Sequence, residues 1–292
     1  MSAPASVPAP APAAQERSST PSPPLPTLGS TAWPLPFWIA HRGAGRLAPE
    51  NTLAAFRVGA RHGFRAFECD VKLSADGVPF LLHDATLERT TSGRGVAGDR
   101  PWQALSRLDA GAWHGTAFAG EPLPTLDAVA AFVLGGGHAL NVEIKPTPGC
   151  DAETGRTVAL AAARLWAGAP APPLLSSFRA DALAAARAAA PRLPRALLLD
   201  ALPAGWLDAA RALGCAGVVC RHALIDAAVI GAAHGAGLRL AAYTVNDAAE
   251  ARRLIALGID GLITDAVNRF PPPESRRVDN PSDGWGARSQ AD

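Results

Sequence analysis

Long apolar runs are absent from this chain of 292 residues, although 48% of its residues are hydrophobic. No stretch approaches the roughly eighteen consecutive apolar residues that a membrane-spanning helix needs. The N-terminus also lacks the basic start, apolar stretch and small-residue cleavage site of a secretory signal. These absences predict a cytoplasmic protein without stable membrane association.

Clustered positive charge and paired cysteines are also missing. The formal net charge is +1 and no segment concentrates Lys or Arg, which argues against a nucleic-acid partner or a polybasic membrane anchor. The four cysteines, Cys69, Cys150, Cys215 and Cys220, form no CxxC pair and favour free thiols in a reducing compartment. We therefore expect a small-molecule partner, while the sequence leaves the oligomeric state open.

Both ends of the chain are poor in large apolar side chains. Residues 1–30 consist mainly of Ala, Pro and Ser, and residues 271–292 begin with three prolines and continue as a polar run. Such segments cannot bury enough surface to offset the entropy lost on ordering. We predict disordered tails at 1–30 and 271–292 around one folded domain at 31–270.

Within that domain, eight short apolar runs alternate with helical segments such as 52–62 and 247–257. The runs are WIAH (38–41), AFECDV (66–71), LNVEIK (140–145), LLSSF (174–178), RALLL (195–199), GVVC (217–220), LRLAAYTV (238–245) and GLIT (261–264). Repeated βα units call for a parallel sheet, and eight units in about 240 residues match a closed (β/α)8 TIM barrel. A doubly wound open sheet is the alternative architecture.

A ninth run, VPFLLH (78–83), follows the second strand too closely for a parallel crossover. We interpret it as a hairpin arm with a two-residue turn at Asp76-Gly77. That turn would place Asp70 opposite His83. The stretch 84–125 is too long for an ordinary βα loop and predicts a small subdomain inserted on the barrel rim.

Polar side chains recur at or near the ends of the apolar runs, where barrels of this type carry their active sites. The set comprises His41, Arg42, Glu68, Asp70, His83, Glu143 and Lys145. Because strand residues two apart share a face, Glu68 points with Asp70, and Glu143 with Lys145. Three carboxylates are therefore expected inside one barrel mouth.

Crowded carboxylates repel one another unless a positive charge lies among them. A divalent cation would provide it, and oxygen ligands alone favour Mg²⁺ or Ca²⁺ over zinc or copper. The alternative is ordinary salt bridging, for example of Glu143 with Lys145 or of Glu68 with Arg42. Three carboxylates beside two histidines favour the metal site.

Histidine suits proton transfer near neutral pH, and His41 and His83 lie beside the predicted carboxylates. Together with a metal and with cationic side chains to hold an anion, two histidines can act as base and acid at a phosphorus centre. This combination predicts phosphodiester cleavage. Elsewhere, Asn51 or Thr52 is expected to cap the first helix and Asn246 the last one.

The motifs resemble the glycerophosphodiester phosphodiesterase family over residues 33–265, and most closely its cytosolic bacterial form. They include HRGAGRLAPENTLAAF (41–56), FECDVKLSADG (67–77), LLHDATLERTTSGRG (81–95), NVEIKPT (141–147), YTVN (243–246) and ITDA (263–266). The resemblance implies a barrel with an insertion after the hairpin. It also implies cleavage of diesters such as glycerophosphocholine or glycerophosphoethanolamine into glycerol 3-phosphate and an alcohol.

The family's functional positions are all present in this sequence. The resemblance implies catalytic histidines at His41 and His83, metal carboxylates at Glu68, Asp70 and Glu143, phosphate contacts at Arg42 and Lys145, and the late-strand aromatic at Tyr243. For Tyr243, substrate contact and ordinary packing both remain open. A lysophospholipase D or phospholipase C-like enzyme and a catalytically dead sugar-phosphate-binding barrel are the rival hypotheses.

Overall fold

The structure is a computed structural model that describes Met1 and residues 33–270. The predicted tails, 1–30 and 271–292, lie outside these described residues apart from Met1. The strands are β1 (Trp38–Ala40), β2 (Ala66–Leu73), β3 (Pro79–Leu81), β4 (Ala139–Ile144), β5 (Leu174–Ser177), β6 (Arg195–Leu199), β7 (Gly217–Arg221), β8 (Arg239–Tyr243) and β9 (Gly261–Thr264). The helices are α1 (Leu53–Arg61), α2 (Trp102–Leu105), α3 (Leu126–Gly135), α4 (Asp151–Leu165), α5 (Ala180–Ala189), α6 (Trp206–Ala212), α7 (Ala227–Gly235) and α8 (Ala248–Leu257).

Eight of these strands, all except β3, form one closed parallel sheet. Their order is β1-β9-β8-β7-β6-β5-β4-β2, and β1 pairs with β2 at Ala40 and Phe67 to complete the ring. Because β1 also pairs with β9 along its length, the first and last strands meet at one seam. The predicted (β/α)8 barrel is confirmed, and the open-sheet alternative is wrong.

Apolar side chains fill both surfaces of the barrel wall. Inside the ring, Ile39, Leu174, Leu198, Val219 and Ile263 belong to one buried cluster. A larger cluster lies between the strands and the surrounding helices, where the β-strands alternate their side chains between the two faces. The packed interior leaves polar side chains to the rim at the carboxyl ends of the strands.

The hairpin differs from the predicted register by one residue. Val71 pairs with Leu81, and Leu82 N–H donates to the Asp70 carbonyl at 3.1 Å, so Leu82 rather than His83 lies opposite Asp70. The connection holds three residues, 75–77, between Ser74 and Val78, with Gly77 at φ +79°. A left-handed glycine ending a three-residue loop shifts the pairing relative to the two-residue turn that we expected.

The segment between β3 and α3 packs around its own small apolar cluster. Phe80, Leu82, Leu87, Leu105 and Leu123 are among its buried members. This cluster lies on the rim of the barrel beside β2 and supports the loops that carry His83 and its neighbours.

No helix within the described ranges is long and apolar enough to cross a membrane.

Two glycines permit the close contacts that position the rim. A Cβ on Gly59 in α1 would lie 2.1 Å from the Gly43 carbonyl oxygen, so only glycine lets the helix approach the loop after β1. A Cβ on Gly45 would lie 2.1 Å from the Asp265 Cα, and Gly45 also has φ +54°. The loop that follows His41 is thereby pressed against the end of β9.

Candidate active site

Seven of the eight predicted site residues line one cavity of about 160 Å³ at the carboxyl ends of the strands. The seven are His41, Arg42, Glu68, His83, Glu143, Lys145 and Tyr243. The eighth, Asp70, is 1% exposed and contacts two of these residues, with Arg42 Nε 3.2 Å from Oδ2 and Lys145 Nζ 3.3 Å from Oδ1. The barrel therefore brings the whole predicted set together.

The three carboxylates form a group that could hold a metal ion. One oxygen atom each from Glu68, Asp70 and Glu143 lies within 4.8 Å of the others, and all three residues are buried. Asp70 Oδ1 and Glu143 Oε1 share the Lys145 ammonium, at 3.3 Å and 2.8 Å, and the buried Glu68 Oε1 makes no hydrogen bond within the described part of the chain. Buried carboxylate oxygens that lack a donor or share a single one are costly, and they suit a hard divalent cation.

The pKa values of the three carboxyl groups are shifted in different directions. Burial, together with the charges of Asp70 and Glu143, raises the pKa of Glu68 well above its ordinary value. Burial and the charge of Asp70 raise the pKa of Glu143 to about 7. Burial acts on Asp70 in the same direction, but Arg42, Lys145 and His83 outweigh it and hold the pKa of Asp70 well below its usual range.

Of the two salt bridges that offered an alternative to a metal site, Glu143 with Lys145 and Glu68 with Arg42, only the first is formed. Lys145 Nζ lies 2.8 Å from Glu143 Oε1, as that alternative required. Arg42 reaches Glu68 through its backbone N–H, at 3.1 Å, while its guanidinium pairs with Glu50 and Asp70. One lysine and one arginine thus face three buried carboxylates, so the group keeps an excess of negative charge that a cation would compensate.

Asn51, which the sequence offered only as a possible helix cap, supports Asp70 instead. Its Nδ2 donates to Asp70 Oδ2 at 2.8 Å, and its Oδ1 accepts the Asp70 backbone N–H at 3.0 Å. Thr52 is the cap of α1, through Oγ1 and the Ala55 N–H. Asn51 at φ +60° and Arg42 at φ +51° are the two non-glycine residues in the described ranges with positive φ. The backbone is held in an unfavourable conformation where it positions these side chains.

His41 is oriented by a carboxylate from the far end of the chain. Its Nδ1 lies 2.6 Å from Asp265 Oδ1, and its Nε2 faces the cavity 3.7 Å from Glu68 Oε2. Asn246 donates to Asp265 at 2.9 Å and accepts the Asp265 backbone N–H at 2.8 Å. Although burial acts to raise it, the hydrogen bond from His41 keeps the pKa of Asp265 below its usual value.

Sequence reasoning missed Asp265 and misplaced Asn246. Asp247, rather than Asn246, caps α8 by accepting the N–H groups of Ala249 and Glu250. Asp265 directly follows β9, so the strand-end rule that selected His41 could also have selected it.

His83 has a second aspartate partner, adjacent in sequence. Its Nδ1 lies 2.7 Å from Asp84 Oδ1. Arg89 donates to the same carboxylate, from Nε to Oδ2 at 2.6 Å and from Nη2 to Oδ1 at 2.9 Å. The hydrogen bonds from Arg89 hold the pKa of Asp84 well below its usual range. Burial lowers the pKa of His83, with the charge of Asp70 opposing that effect.

Arg89 links this pair to the other side of the cavity. It makes two further hydrogen bonds to Glu50, both at 2.8 Å, and Glu50 Oε1 accepts from Arg42 Nη1 at 2.8 Å. A continuous chain of charge-assisted hydrogen bonds therefore runs from His83 to Arg42. Nothing in the sequence pattern singled out Arg89, because its partners are identified only by their position in space.

An aromatic wall completes the cavity. The ring of Phe178, which is not among the predicted site residues, packs edge-on against Tyr243 with centroids 5.8 Å apart. Lys145 Nζ lies 5.7 Å from the Phe178 centroid. The Tyr243 hydroxyl donates to the Leu199 carbonyl at 3.2 Å, so Tyr243 presents an apolar ring rather than a free hydroxyl. This wall suits the carbon skeleton of a small substrate.

Comparison with known proteins identifies relatives over nearly all of the barrel. The profile of the glycerophosphoryl diester phosphodiesterase family matches residues 41–269. A glycerophosphodiester phosphodiesterase of Caldanaerobacter subterraneus is 34% identical over 228 residues, which cover 78% of this chain and 93% of that protein.

Solved structures show the same likeness. A phosphodiesterase of Oleispira antarctica, determined in complex with the product sn-glycerol-3-phosphate, is 34% identical with a TM-score of 0.75 and covers 82% of this chain and 95% of its own. A glycerophosphodiester phosphodiesterase of Agrobacterium tumefaciens is 29% identical with a TM-score of 0.66, over 80% of this chain and 98% of its own.

Proposed function

Because the chain belongs to the glycerophosphoryl diester phosphodiesterase family and is an enzyme of that type, we propose that it hydrolyses glycerophosphodiesters such as glycerophosphocholine and glycerophosphoethanolamine. The products would be sn-glycerol 3-phosphate and the head-group alcohol. The sn-glycerol-3-phosphate named as the product of the Oleispira enzyme supports this substrate class.

One observation carries the proposal. Two histidines, each hydrogen-bonded through Nδ1 to an aspartate, face the same cavity as three buried carboxylates. Because a carboxylate can only accept, Nδ1 of His41 and His83 carries the proton, and Nε2 of each ring is left for the substrate. Such a pair can remove one proton and supply another during the same reaction.

The carboxylates Glu68, Asp70 and Glu143 would hold the cation, for which Mg²⁺ and Ca²⁺ are the proposed ions because all three ligands are oxygens. When bound, a divalent cation supplies positive charge to a non-bridging phosphate oxygen. Glu68 Oε1, which is buried without a hydrogen-bond partner among the described residues, agrees with this donor set.

Arg42 and Lys145 flank the cavity and bind the phosphate through charge-assisted hydrogen bonds. One histidine removes the proton of the attacking hydroxyl, which forms the new P–O bond. The other histidine protonates the head-group oxygen as the old P–O bond breaks. The attacking hydroxyl comes from water or from the substrate's own glycerol, in which case a cyclic phosphate forms first.

The decisive assay follows release of glycerol 3-phosphate from a panel of glycerophosphodiesters and a lysophospholipid, with EDTA and with added Mg²⁺ or Ca²⁺. We expect His41→Ala and His83→Ala each to lower kcat by about 10²–10⁴-fold. His222→Ala is the control, since His222 pairs with Glu250 outside the cavity. Near-native turnover by either active-site variant would contradict the histidine assignment, and faster lysophospholipid hydrolysis would favour a lipid-acting enzyme.

The cation site is tested separately from turnover. Calorimetric titration with Mg²⁺ and Ca²⁺ should show a site that Glu68→Gln and Glu143→Gln weaken. Unchanged affinity in both variants, or unchanged turnover in excess EDTA, would remove these carboxylates from the proposed metal centre.

Domain limits of 31–270, a cytoplasmic location and the absence of nucleic-acid or stable membrane partners remain predictions from the sequence.

A further inference from the structure

A larger cavity adjoins the central one on the side of the inserted segment. It measures about 470 Å³, shares His41 and Arg42 with the central cavity, and is lined further out by Arg46, Trp113 and His114. The central cavity, at about 160 Å³, suits the constant glycerol phosphate. The larger one, directly beyond the two shared residues, has room for the variable alcohol.

A third cavity continues the same path along the rim. It measures about 190 Å³, shares Arg46 and Asp265 with the second cavity, and reaches Asn268 and Arg269. The three cavities therefore form a series that begins at the reacting phosphate and ends between two arginines. A head group long enough to cross the second cavity would arrive beside Arg46 and Arg269.

Arg46 is anchored at the junction of the second and third cavities. Its backbone N–H donates to the Asp265 carbonyl at 3.2 Å, and its own carbonyl lies 3.1 Å from His114 Nε2. Gly45 packs tightly on the Asp265 backbone just before it. The backbone that carries the Arg46 side chain is thus fixed between β9 and the inserted segment, which gives the guanidinium a defined origin.

The charges along this path are unevenly paired. The carboxylates of the second and third cavities, Glu50 and Asp265, are already bound, Glu50 by Arg42 and Arg89 and Asp265 by His41 and Asn246. Within the part of the chain that the structure describes, the guanidinium groups of Arg46 and Arg269 make no hydrogen bond or ion pair. Among the described residues that line the third cavity, two guanidinium groups face the single carboxylate of Asp265, so the outer end of the path carries an excess of positive charge.

From this arrangement we propose that Arg46 and Arg269 form a specificity subsite for the head group, which favours leaving alcohols that carry an anionic group of their own, such as a phosphorylated polyol. The proposal rests on the proposed glycerophosphodiester hydrolysis and adds the chemistry of the alcohol to it. A guanidinium binds phosphate or carboxylate oxygens through paired hydrogen bonds, and two of them at one end of a cavity select for negative charge.

Trp113 makes the opposite preference worth testing. Its indole Nε1 donates to the Ala110 carbonyl at 2.8 Å, while 41% of the residue remains exposed beside the second cavity. An open indole face can stack on a polyol, but it also attracts a quaternary ammonium. Choline would then be the favoured head group, and the unpaired arginines would oppose it.

The test compares glycerophosphoinositol with glycerophosphoinositol 4-phosphate, a pair that differs by one anionic group, and adds glycerophosphocholine. We expect kcat/KM to be about tenfold higher for the phosphorylated ester and to fall towards equality at high salt. The ratio of kcat/KM for the phosphorylated ester to kcat/KM for glycerophosphoinositol should drop about threefold in Arg46→Gln and about threefold in Arg269→Gln. In the double variant it should drop about tenfold. Arg192→Gln, at an exposed arginine just before β6 and therefore at the opposite end of the barrel, should leave the ratio unchanged.

Four outcomes would overturn the proposal. A native ratio at or below one, or a ratio that the double variant does not change, would remove the anion subsite. A preference for glycerophosphocholine that Trp113→Ala abolishes would assign the cavity to a cationic alcohol. If no glycerophosphodiester is hydrolysed, the proposed function itself fails and this inference fails with it, which the panel distinguishes from a lack of preference.

Discussion

The two histidine–aspartate pairs of the cavity are alike in geometry and different in support. In both, Nδ1 meets a carboxylate oxygen, at 2.6 Å for His41 with Asp265 and at 2.7 Å for His83 with Asp84. The first pair joins residues 224 positions apart across the seam between β1 and β9, whereas the second joins neighbours in sequence. His41 therefore depends on closure of the barrel, while His83 depends on a local turn and on Arg89 beside it.

The pair of His41 and Asp265 is also less exposed to solvent than the pair of His83 and Asp84. The side chains of His41 and Asp265 are 17% and 21% exposed, against 30% and 28% for His83 and Asp84. A hydrogen bond to a charged group is stronger where water competes less. We therefore expect loss of the hydrogen bond between His41 and Asp265 to lower activity more than loss of the one between His83 and Asp84.

The largest effect is expected from Asp265→Asn. The amide can offer its NH₂ group to Nδ1 and so favour the wrong tautomer of His41, and we expect kcat to fall by about 10²–10³-fold. Steady-state kinetics of glycerol 3-phosphate release measures the loss. Asp260→Asn is the matched control, because Asp260 pairs with His234 at 2.8 Å outside the cavity and should leave kcat near native. A loss of less than threefold in Asp265→Asn would show that His41 needs no carboxylate.

Asp84→Asn should have a smaller effect, about 10–10²-fold on kcat, because its pair is more exposed and the local turn still holds His83 in place. The same kinetic assay applies. A larger loss of kcat in Asp84→Asn than in Asp265→Asn would show that the local support of His83 matters more than the contact across the seam.

Arg89→Gln should lower kcat by about three- to tenfold, since it removes the hydrogen bonds that hold Asp84 and Glu50 together at a partly exposed site. In double-mutant cycles we expect Arg89→Gln to be coupled with Asp84→Asn and additive with Asp265→Asn. Arg94→Gln, at an exposed arginine in the same segment, is the control. Coupling of equal size to both aspartates would mean that the two pairs act as one unit.

The smallest effect concerns stability against acid. Because the folded pKa of Asp265 is depressed, its contribution to the free energy of unfolding is present above the unfolded pKa of about 4 and is lost as the pH falls through the folded value. The native protein should therefore exceed Asp265→Asn in stability at neutral pH by about 1 kcal/mol or less, and the difference should shrink below about pH 4. Denaturant unfolding at several pH values measures it, and a difference that is constant with pH would contradict the linkage.

Much of the site could be predicted because strand ends are visible in the sequence. His41, Glu68, Asp70 and Glu143 stand at or near the ends of apolar runs, and alternation along β2 assigned Glu68 and Asp70 to one face. Asp265 obeys the same rule and was overlooked, whereas Arg89 follows no rule of spacing. The Asp76-Gly77 turn predicted the hairpin correctly but its register wrongly, because a turn dipeptide does not reveal whether two or three residues form the loop.

The alternation of strands and helices, the (β/α)8 barrel and the residue types at the strand ends could be read from the amino-acid sequence, because periodicity and turn chemistry are local properties of the chain. The partners of those residues became visible only in the folded barrel. Asp265 reaches His41 because the ring closes β9 onto β1, and Arg89 reaches Glu50 because the inserted segment folds back over the rim. Hydrogen bonds and ion pairs depend on distance in space, and closure of the barrel sets those distances across more than two hundred residues of sequence.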